Sequence, residues 1–205
     1  VGVTLNTKGQ SVTLVYVDST QGWLNTMDST SNVRGFGDLV ATVSGACNTL
    51  TTAPCCADAK IAKFVGPGTF TVTNASACAA NNIVSYMVVG GGGGGGSACA
   101  GGGGGAGGFR ELESPSTPYT SSPLDGYPSA PNRVTISATP GAYPIVVGGG
   151  GPKGQPENPG DGTVSTFSTI CAAGGGGGGG GNPGRDGGSG GGGGGNPSRV
   201  GGSGN

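Results

Sequence analysis

Six cysteines are the residues of this sequence with the most chemical potential. An even number in a chain poor in core-forming side chains is typical of an extracellular protein stapled by disulfides. Cys99 and Cys171 each precede an alanine at the edge of a glycine run, and their pairing is the one we favour. Buried free thiols are the alternative for several of them. The disulfide candidates are Cys47, Cys55, Cys56, Cys78, Cys99 and Cys171.

The residue types of this chain do not indicate a metal site or a catalytic site. The adjacent pair Cys55-Cys56 lacks the C-x-x-C spacing of a zinc site, and the chain contains no histidine. Glu111 and Glu113 form a close acidic pair, but without a companion base we expect them to be solvated surface groups. Glycine runs match G-x-G-x-x-G trivially, and no P-loop pattern occurs. We therefore expect no enzyme activity, no metal and no cofactor.

Two tyrosines stand in a proline- and serine-rich insert at residues 111–132. Rigid aromatic rings offer contact area at a small entropic cost, so Tyr119 and Tyr127 are our candidates for contact with a host-surface receptor. The alternative is that the insert is a spacer.

The charge and hydropathy of the chain limit the kinds of partner that it can bind. Charged residues make up 9% of the chain and nearly cancel, at 9 Lys and Arg against 10 Asp and Glu. A chain with no basic stripe cannot neutralise phosphates, so we expect no nucleic acid partner. The longest apolar stretch, residues 83–89, is too short to cross a bilayer, so we expect no membrane insertion. The chain opens on Val1 without a basic and apolar leader, which indicates a processed product or a fragment.

The elements that position these residues fall into two regions, 1–63 and 64–205. In the first, alternation over residues 12–17 and a turn at 18–22 predict a β-hairpin that ends near Met27. Residues 29–60 carry scattered Gly, Pro and Cys, and we assign them no regular element.

The second region alternates strands with glycine blocks. Only eight of the 51 glycines precede Gly90. We predict strands at residues 68–72, 83–89, 133–137, 143–147 and 163–170. Three of these strands lead into a glycine block, a junction that a flexible linker would have no reason to repeat.

One backbone conformation would allow glycine blocks of these lengths to be ordered. Polyglycine can adopt the polyproline II conformation, in which seven or eight residues span roughly 22–25 Å and leave every N–H and C=O unpaired. Side by side, such helices can exchange main-chain hydrogen bonds. Ordering a residue costs about 1–2 kcal/mol, and each hydrogen bond returns about 0.5–1.5 kcal/mol. Disorder is therefore the competing interpretation, and flanking prolines and strands favour order.

The order of the spaced elements carries a family resemblance. Tyr86-Met-Val-Val runs into glycines, a Gly-Ala-Gly-Gly-Phe109-Arg110 stretch follows, and strands at 143–147 and 165–167 again precede glycine blocks. This series, over residues of about 64 to 195, resembles the glycine-rich domain of tailed-bacteriophage tail fibres and related virion structural proteins. The resemblance implies a trimeric fibre tip or adhesin without a cofactor.

The fold expected is mostly β with polyglycine II helices: an N-terminal β-hairpin and strand region, then a glycine-rich bundle clamped by short strands, with no significant α-helix. The function expected is that of a virion or extracellular fibre or adhesin protein, a stiff scaffold that presents recognition loops. One alternative is the repeating subunit of a secreted filament, and a weaker one is an ice-binding protein. The partners expected are other copies of the chain, as a homotrimer or a helical polymer.

Overall fold

The computed structural model describes most of the chain. The described residues are 12–19, 22–28, 39–54, 56–76, 79–97, 100–116, 119–127, 130–154, 159–195 and 199–205. Their regular elements are strands and two short 3-10 turns, so the expectation of a mostly β chain without a significant α-helix is confirmed for this part of the chain. The strands are β1 Val12–Asp18, β2 Gly22–Asp28, β3 Val40–Val43, β4 Thr49–Ala53, β5 Cys56–Lys63, β6 Gly68–Asn74, β7 Tyr86–Val89, β8 Phe109–Leu112, β9 Ala142–Val146, β10 Ser165–Phe167 and β11 Ile170–Ala172.

The predicted N-terminal hairpin is confirmed. β1 and β2 pair antiparallel, with Tyr16 opposite Trp23. Val15, Tyr16 and Val17 are each about half exposed. Because successive side chains of a strand point to opposite faces, neither face of this part of β1 is fully covered by the described chain.

A five-stranded antiparallel sheet holds the apolar core. Its strand order is β11-β10-β9-β6-β3. The buried members of the core come from four strands, β6, β9, β10 and β11, and from the segment before β9: Val72, Val134, Ile136, Ile145, Phe167 and Ile170. The rings of Tyr86 and Tyr143 pack around Phe167, with centroids 6.0 and 6.4 Å from it. β3 pairs with β6, so this sheet crosses the division that we drew between residues 63 and 64.

Several predicted elements need correction. Residues 29–60 were expected to lack regular structure, yet they contain β3, β4 and the start of β5. The small residues of these strands, chiefly Thr and Ala, carry a weak hydrophobic alternation, and cross-strand pairing sets their structure. The strand predicted over 83–89 begins only at Tyr86, and the one over 133–137 is reduced to a single bridge between Thr135 and Ile83.

The strand predicted over 163–170 is in fact a hairpin. β10 and β11 pair antiparallel, with Phe167 opposite Ile170. The two residues between them form the turn, and Ser168 has a φ of 54°. That left-handed backbone matches the twist that a two-residue hairpin turn requires. The alternating pattern was right, but no glycine marked the turn.

Between and after the strands from β7 onward, the chain forms a set of extended glycine-rich segments. We name them segment A (90–96), B (101–108), C (148–154), D (159–163), E (174–181), F (182–188), G (189–195) and H (199–205). They belong to no helix or sheet, and backbone hydrogen bonds join each one to its neighbours.

The hydrogen bonds between segments follow a three-residue repeat. Gly90, Gly93 and Gly96 of segment A donate to segment B, and the donors of segment A to segment D, Gly91 and Gly94, have the same spacing. Segment A also accepts hydrogen bonds from segments C and E. Each segment therefore directs successive residues at different neighbours, and the glycine runs form an ordered, hydrogen-bonded body.

Segment E is the centre of this body. Its residues 175–180 are buried, and it exchanges hydrogen bonds with segments A, B, D, F and G. Gly175 and Gly178 donate to segment A, and the residue after each donates to segment G. The intervening Gly177 donates to Oδ1 of Asp161 at 2.9 Å. A side chain of the neighbouring segment D thus satisfies a buried N–H of segment E.

Close packing requires glycine at most of these positions. A β-carbon on Gly93 would overlap the carbonyl oxygen of Gly176, and one on Gly176 would overlap that of Arg185. By contrast, a β-carbon on Gly103 would meet nothing within 4 Å. The absence of side chains therefore lets the backbones approach, and only outward-facing positions have room for one.

Candidate functional site

The insert that contains the candidate tyrosines leaves the glycine body through β8. We call residues 113–127 the β8 loop. It returns alongside its own strand, since the N–H of Gly126 donates to the carbonyl of Glu111 at 2.9 Å and Asp125 forms a parallel bridge with Glu111. The described part of the loop is thus fastened at both ends to β8.

Glu111 is the buried anchor of the β8 loop. Its side chain is only 4% exposed, which corrects the expectation that it is a solvated surface group. The Tyr119 hydroxyl donates to its Oε1 at 3.1 Å, and the Ser122 backbone N–H donates to its Oε2 at 3.1 Å. The Ser122 hydroxyl donates to the same Oε2. Because these donors satisfy the carboxylate, it can be buried under the loop.

Asp125 organises the loop from its other end. Its Oδ1 accepts hydrogen bonds from the N–H groups of Glu113, at 2.9 Å, and Tyr127, at 3.1 Å. These bonds favour the ionised form and hold the pKa of the Asp125 carboxyl below its ordinary value. Glu113 in turn accepts a hydrogen bond from the N–H of Tyr119 at 2.9 Å. Acidic side chains therefore act here as acceptors for loop backbone.

The candidate contact residues Tyr119 and Tyr127 both lie on the β8 loop. Tyr119 is 40% exposed, and its hydroxyl is engaged with Glu111. Burial, together with that carboxylate, raises the pKa of the Tyr119 phenol above its ordinary value. Tyr127 is half-buried, and the Arg133 guanidinium lies 4.6 Å from its ring centroid. The structure thus gives both tyrosines a role in holding the loop, and their contact with a receptor stays a prediction.

A cavity of about 360 Å³ lies between β8, the β8 loop and the glycine body. Its polar lining includes Arg110, Asn132, Ser189 and Asn205. The carbonyl of Asn132 accepts a hydrogen bond of 2.7 Å from the Tyr86 hydroxyl, which fixes this wall to β7. The sequence does not point to these residues as a site, because they are far apart in the chain, and Arg110 alone lies in a stretch that carries the family resemblance.

The cysteines of the described chain do not form the favoured staple. Cys171 carries a free, exposed thiol, so the predicted Cys99–Cys171 disulfide is absent from this structure. Cys171 lies on β11 between the buried Ile170 and Ala172, with its own side chain on the exposed face of the strand. Cys47 is also free and exposed. Cys55, Cys78 and Cys99 lie outside the described residues, as does the side chain of Cys56, and their pairing stays a prediction.

Neither a metal-binding cluster nor a membrane-spanning helix is present among the described residues. Its His, Cys, Asp and Glu side chains form no group of three or more that could hold a metal ion. None of its helical turns has the length and hydropathy needed to span a bilayer.

Comparison with known proteins gives one match. No curated protein and no solved structure matches the chain significantly. A family model described as a glycine-rich domain matches residues 65–205, a range that includes β6 to β11, the β8 loop and every glycine segment. Because this match covers well over half of the sequence, the chain belongs to the glycine-rich domain family.

Proposed function

We propose that this protein is a non-enzymatic structural component of a virion fibre or adhesin, in which a stiff glycine body presents the β8 loop to a host surface. Segments A to H are polyglycine II helices in this proposal. The observation that carries it is the three-residue repeat of hydrogen bonds between segments, since the polyproline II conformation has three residues per turn.

Rigidity is what such a body offers a fibre. The central segment E is buried over residues 175–180 although it has no side chains, so backbone contacts alone exclude water from it. Hydrogen bonds in a dry, close-packed body resist local opening better than solvated ones. A scaffold of this kind would resist unfolding and proteolysis, which suits an external virion or other extracellular location.

The β8 loop has the organisation expected of a presented recognition surface. It is exposed at Tyr119 and Leu124, yet Glu111 and Asp125 fix its backbone. A preorganised loop loses little conformational entropy on binding, which favours affinity. These features support contact with a host-surface receptor through Tyr119 and Tyr127.

Association with other copies of the chain completes the proposal. A two-stranded hairpin is marginally stable by itself in water, and Val15, Tyr16 and Val17 of β1 are half exposed on both of its faces. Packing of this hairpin against other copies in a homotrimer would cover them. The same hairpin favours the second candidate, a repeating subunit of a secreted filament, in which it would pack against the next copy of a helical polymer.

Imaging and cell binding test the proposal together. Negative-stain images of the purified full chain should show discrete tapered trimers, whereas indefinite polymers would favour the filament and monomers would contradict both. Binding to host cells should fall when Tyr127 is changed to Ala. Tyr119→Phe should retain more binding than Tyr119→Ala, because the ring remains. Unchanged binding in Tyr127→Ala and Tyr119→Ala would contradict the receptor role.

A further inference from the structure

Segments A and C lie side by side at the surface of the glycine body, where the N–H of Gly151 donates to the carbonyl of Gly92 at 2.8 Å. Gly92 is exposed and Gly95 is half-buried, and the N–H of neither has a backbone acceptor among the described residues. In segment C, Gly150 is exposed, and the carbonyl of Gly151 accepts no backbone hydrogen bond from the described chain. We call the surface formed by these four glycines the A–C face. It presents unpaired backbone donors and an unpaired acceptor on adjacent segments.

The fold of a single chain does not require glycine at three positions of the A–C face. A β-carbon on Gly92, Gly95 or Gly150 would lie 3.7–3.9 Å from the nearest atom, an ordinary contact distance. None of the three has the positive φ that favours glycine. Glycine loses more conformational entropy on folding than any other residue. A partner backbone that approaches this face as closely as the internal segments approach one another would explain why all three are glycine.

Segment G carries the backbone groups that complement the A–C face. The N–H and carbonyl groups of Gly190 and Gly193 take part in no backbone hydrogen bond with the residues that the structure describes. Their spacing of three residues equals that of Gly92 and Gly95. The two carbonyls of segment G can therefore accept the two N–H groups of segment A, while an N–H of segment G donates to the Gly151 carbonyl.

This contact can form only between copies of the chain. Within its own chain, segment G exchanges hydrogen bonds with segments B, E, F and H, and not with segments A and C. A copy that binds through segment G thus still has its own A–C face open, and this face can receive segment G of a further copy. Such a contact between two different surfaces forms a closed ring when the rotation between copies closes.

The geometry of the segments favours a ring of three. Polyglycine II has three residues per turn, so the N–H groups of a segment point in three directions that are a third of a turn apart. Rotation of a copy by a third of a turn about the segment direction leaves these directions unchanged, and donors still face acceptors. Rotation by half a turn would point N–H groups where the carbonyl groups were, and donors would face donors.

We propose that segment G of one copy lies against the A–C face of the next, so that Gly92 and Gly95 donate to carbonyls of segment G and three copies form a closed homotrimer. The inference rests on the proposed function, in which the segments are polyglycine II helices and the chain associates with other copies. It adds a backbone interface of the glycine body to the packing of the β1–β2 hairpin.

Sedimentation of the full chain over a series of concentrations tests this interface. Gly92→Gln and Gly95→Gln should each raise the dissociation constant of the trimer by at least about tenfold, because the new side chain blocks interface hydrogen bonds. Both variants should keep the thermal midpoint of the dissociated wild type, since their β-carbons have room. The matched control is Gly181→Gln in segment E, an exposed glycine whose β-carbon would meet nothing within 4 Å. The control should associate as the wild type does, and equal dissociation constants in all four proteins would overturn the interface.

Hydrogen exchange of the wild type tests the same contact without a substitution. The amides of Gly92 and Gly95 should exchange rapidly in the dissociated chain and slowly in the trimer. If trimers form while both amides stay rapid, the inference falls and the proposed hairpin-mediated trimer stands. If both amides slow on assembly while Tyr127→Ala and Tyr119→Ala bind host cells normally, the receptor role falls and the interface stands. A chain that is monomeric at every concentration would overturn this interface and the association proposed above.

Discussion

At the scale of single residues, glycine in this protein is a packing requirement. The β-carbon that any other residue would bring overlaps a neighbouring carbonyl at positions such as Gly93, Gly176 and Gly191. A β-carbon at Gly103, by contrast, would point into open space. Packed and exposed glycines cannot be told apart from the sequence, because both lie in uninterrupted glycine runs. The neighbouring segments in the fold determine which positions are packed.

A pair of alanine substitutions tests this distinction. Gly176→Ala should lower the free energy of unfolding by about 1–3 kcal/mol, the usual cost of overpacking a close-packed interior. Gly103→Ala should leave it unchanged or raise it by about 0.4–1 kcal/mol, because alanine restricts the unfolded chain. Chemical denaturation of both variants measures the difference. Equal stabilities would show that segment E is not packed as described.

A second prediction at this scale concerns Asp125 and pH. Hydrogen bonds from the Glu113 and Tyr127 N–H groups hold the pKa of Asp125 below its ordinary value of 3.8. A carboxyl with a lowered folded pKa stabilises the fold above its unfolded pKa, and this contribution is lost as the pH falls through the folded pKa. The backbone contacts that Asp125 makes in the β8 loop should therefore be lost only at a pH below 3.8.

Nuclear magnetic resonance follows this transition directly. The amide signals of Glu113 and Tyr127 should shift together, with a midpoint below 3.8. In Asp125→Asn, which keeps an acceptor oxygen without a titrating charge, the shift should disappear while the loop remains folded. A midpoint at or above the ordinary value would contradict the hydrogen-bonded arrangement.

At the scale of elements, acidic side chains add to the backbone hydrogen bonds between neighbouring glycine segments. Asp161 of segment D accepts the N–H of Gly177 in the buried segment E. The Asp161 carboxylate also forms an ion pair of 2.9 Å with Arg185 of segment F. Segment H shows the same device, since Asp186 accepts the N–H of Ser203. These two aspartates therefore link segments D and E, and segments F and H, through their side chains.

Substitution of the two ion-pair partners should therefore have unequal effects. Asp161→Ala leaves the buried Gly177 N–H unpaired and should cost about 1–3 kcal/mol of unfolding free energy. Arg185→Ala removes only the exposed side of the pair and should cost less than about 1 kcal/mol. Thermal and denaturant unfolding of both variants provide the measurement. A larger loss in Arg185→Ala would mean that the ion pair, and not the capped N–H, stabilises this edge.

At the scale of the whole molecule, the sequence predicted the alternation of strands and glycine blocks but not their arrangement. The hairpin β1–β2 and strands β6 and β9 follow from hydrophobic alternation and turn residues. β3, β4 and β5 did not, because their small Thr and Ala residues show little hydrophobic alternation and strand pairing stabilises them: β3 pairs with the distant β6, and β4 pairs with the adjacent β5. The burial of Glu111 was also missed, because it depends on donors from Tyr119 and Ser122.

The order of neighbours around segment E could not be predicted either. Glycine runs are identical to one another, so they carry no information about which run pairs with which. Registration comes instead from the flanking elements: β7 precedes segment A, β9 precedes segment C, and β11 precedes segment E. These strands therefore fix where segments A, C and E begin.

Hydrogen exchange tests the whole arrangement at single-residue resolution. In segment A, the N–H groups of Gly91, Gly93 and Gly94 donate to neighbouring segments, whereas those of Gly92 and Gly95 have no backbone acceptor among the residues that the structure describes. In the dissociated chain, the amides of Gly91, Gly93 and Gly94 should therefore exchange slowly, and those of Gly92 and Gly95 should exchange rapidly. Rapid exchange should thus recur every three residues, as the hydrogen bonds do. Amides of residues 175–179, at the buried centre, should be the slowest of the glycine body. Disordered glycine runs would instead give uniformly rapid exchange, and an aperiodic pattern of protection would contradict the registration of segments A, B and D.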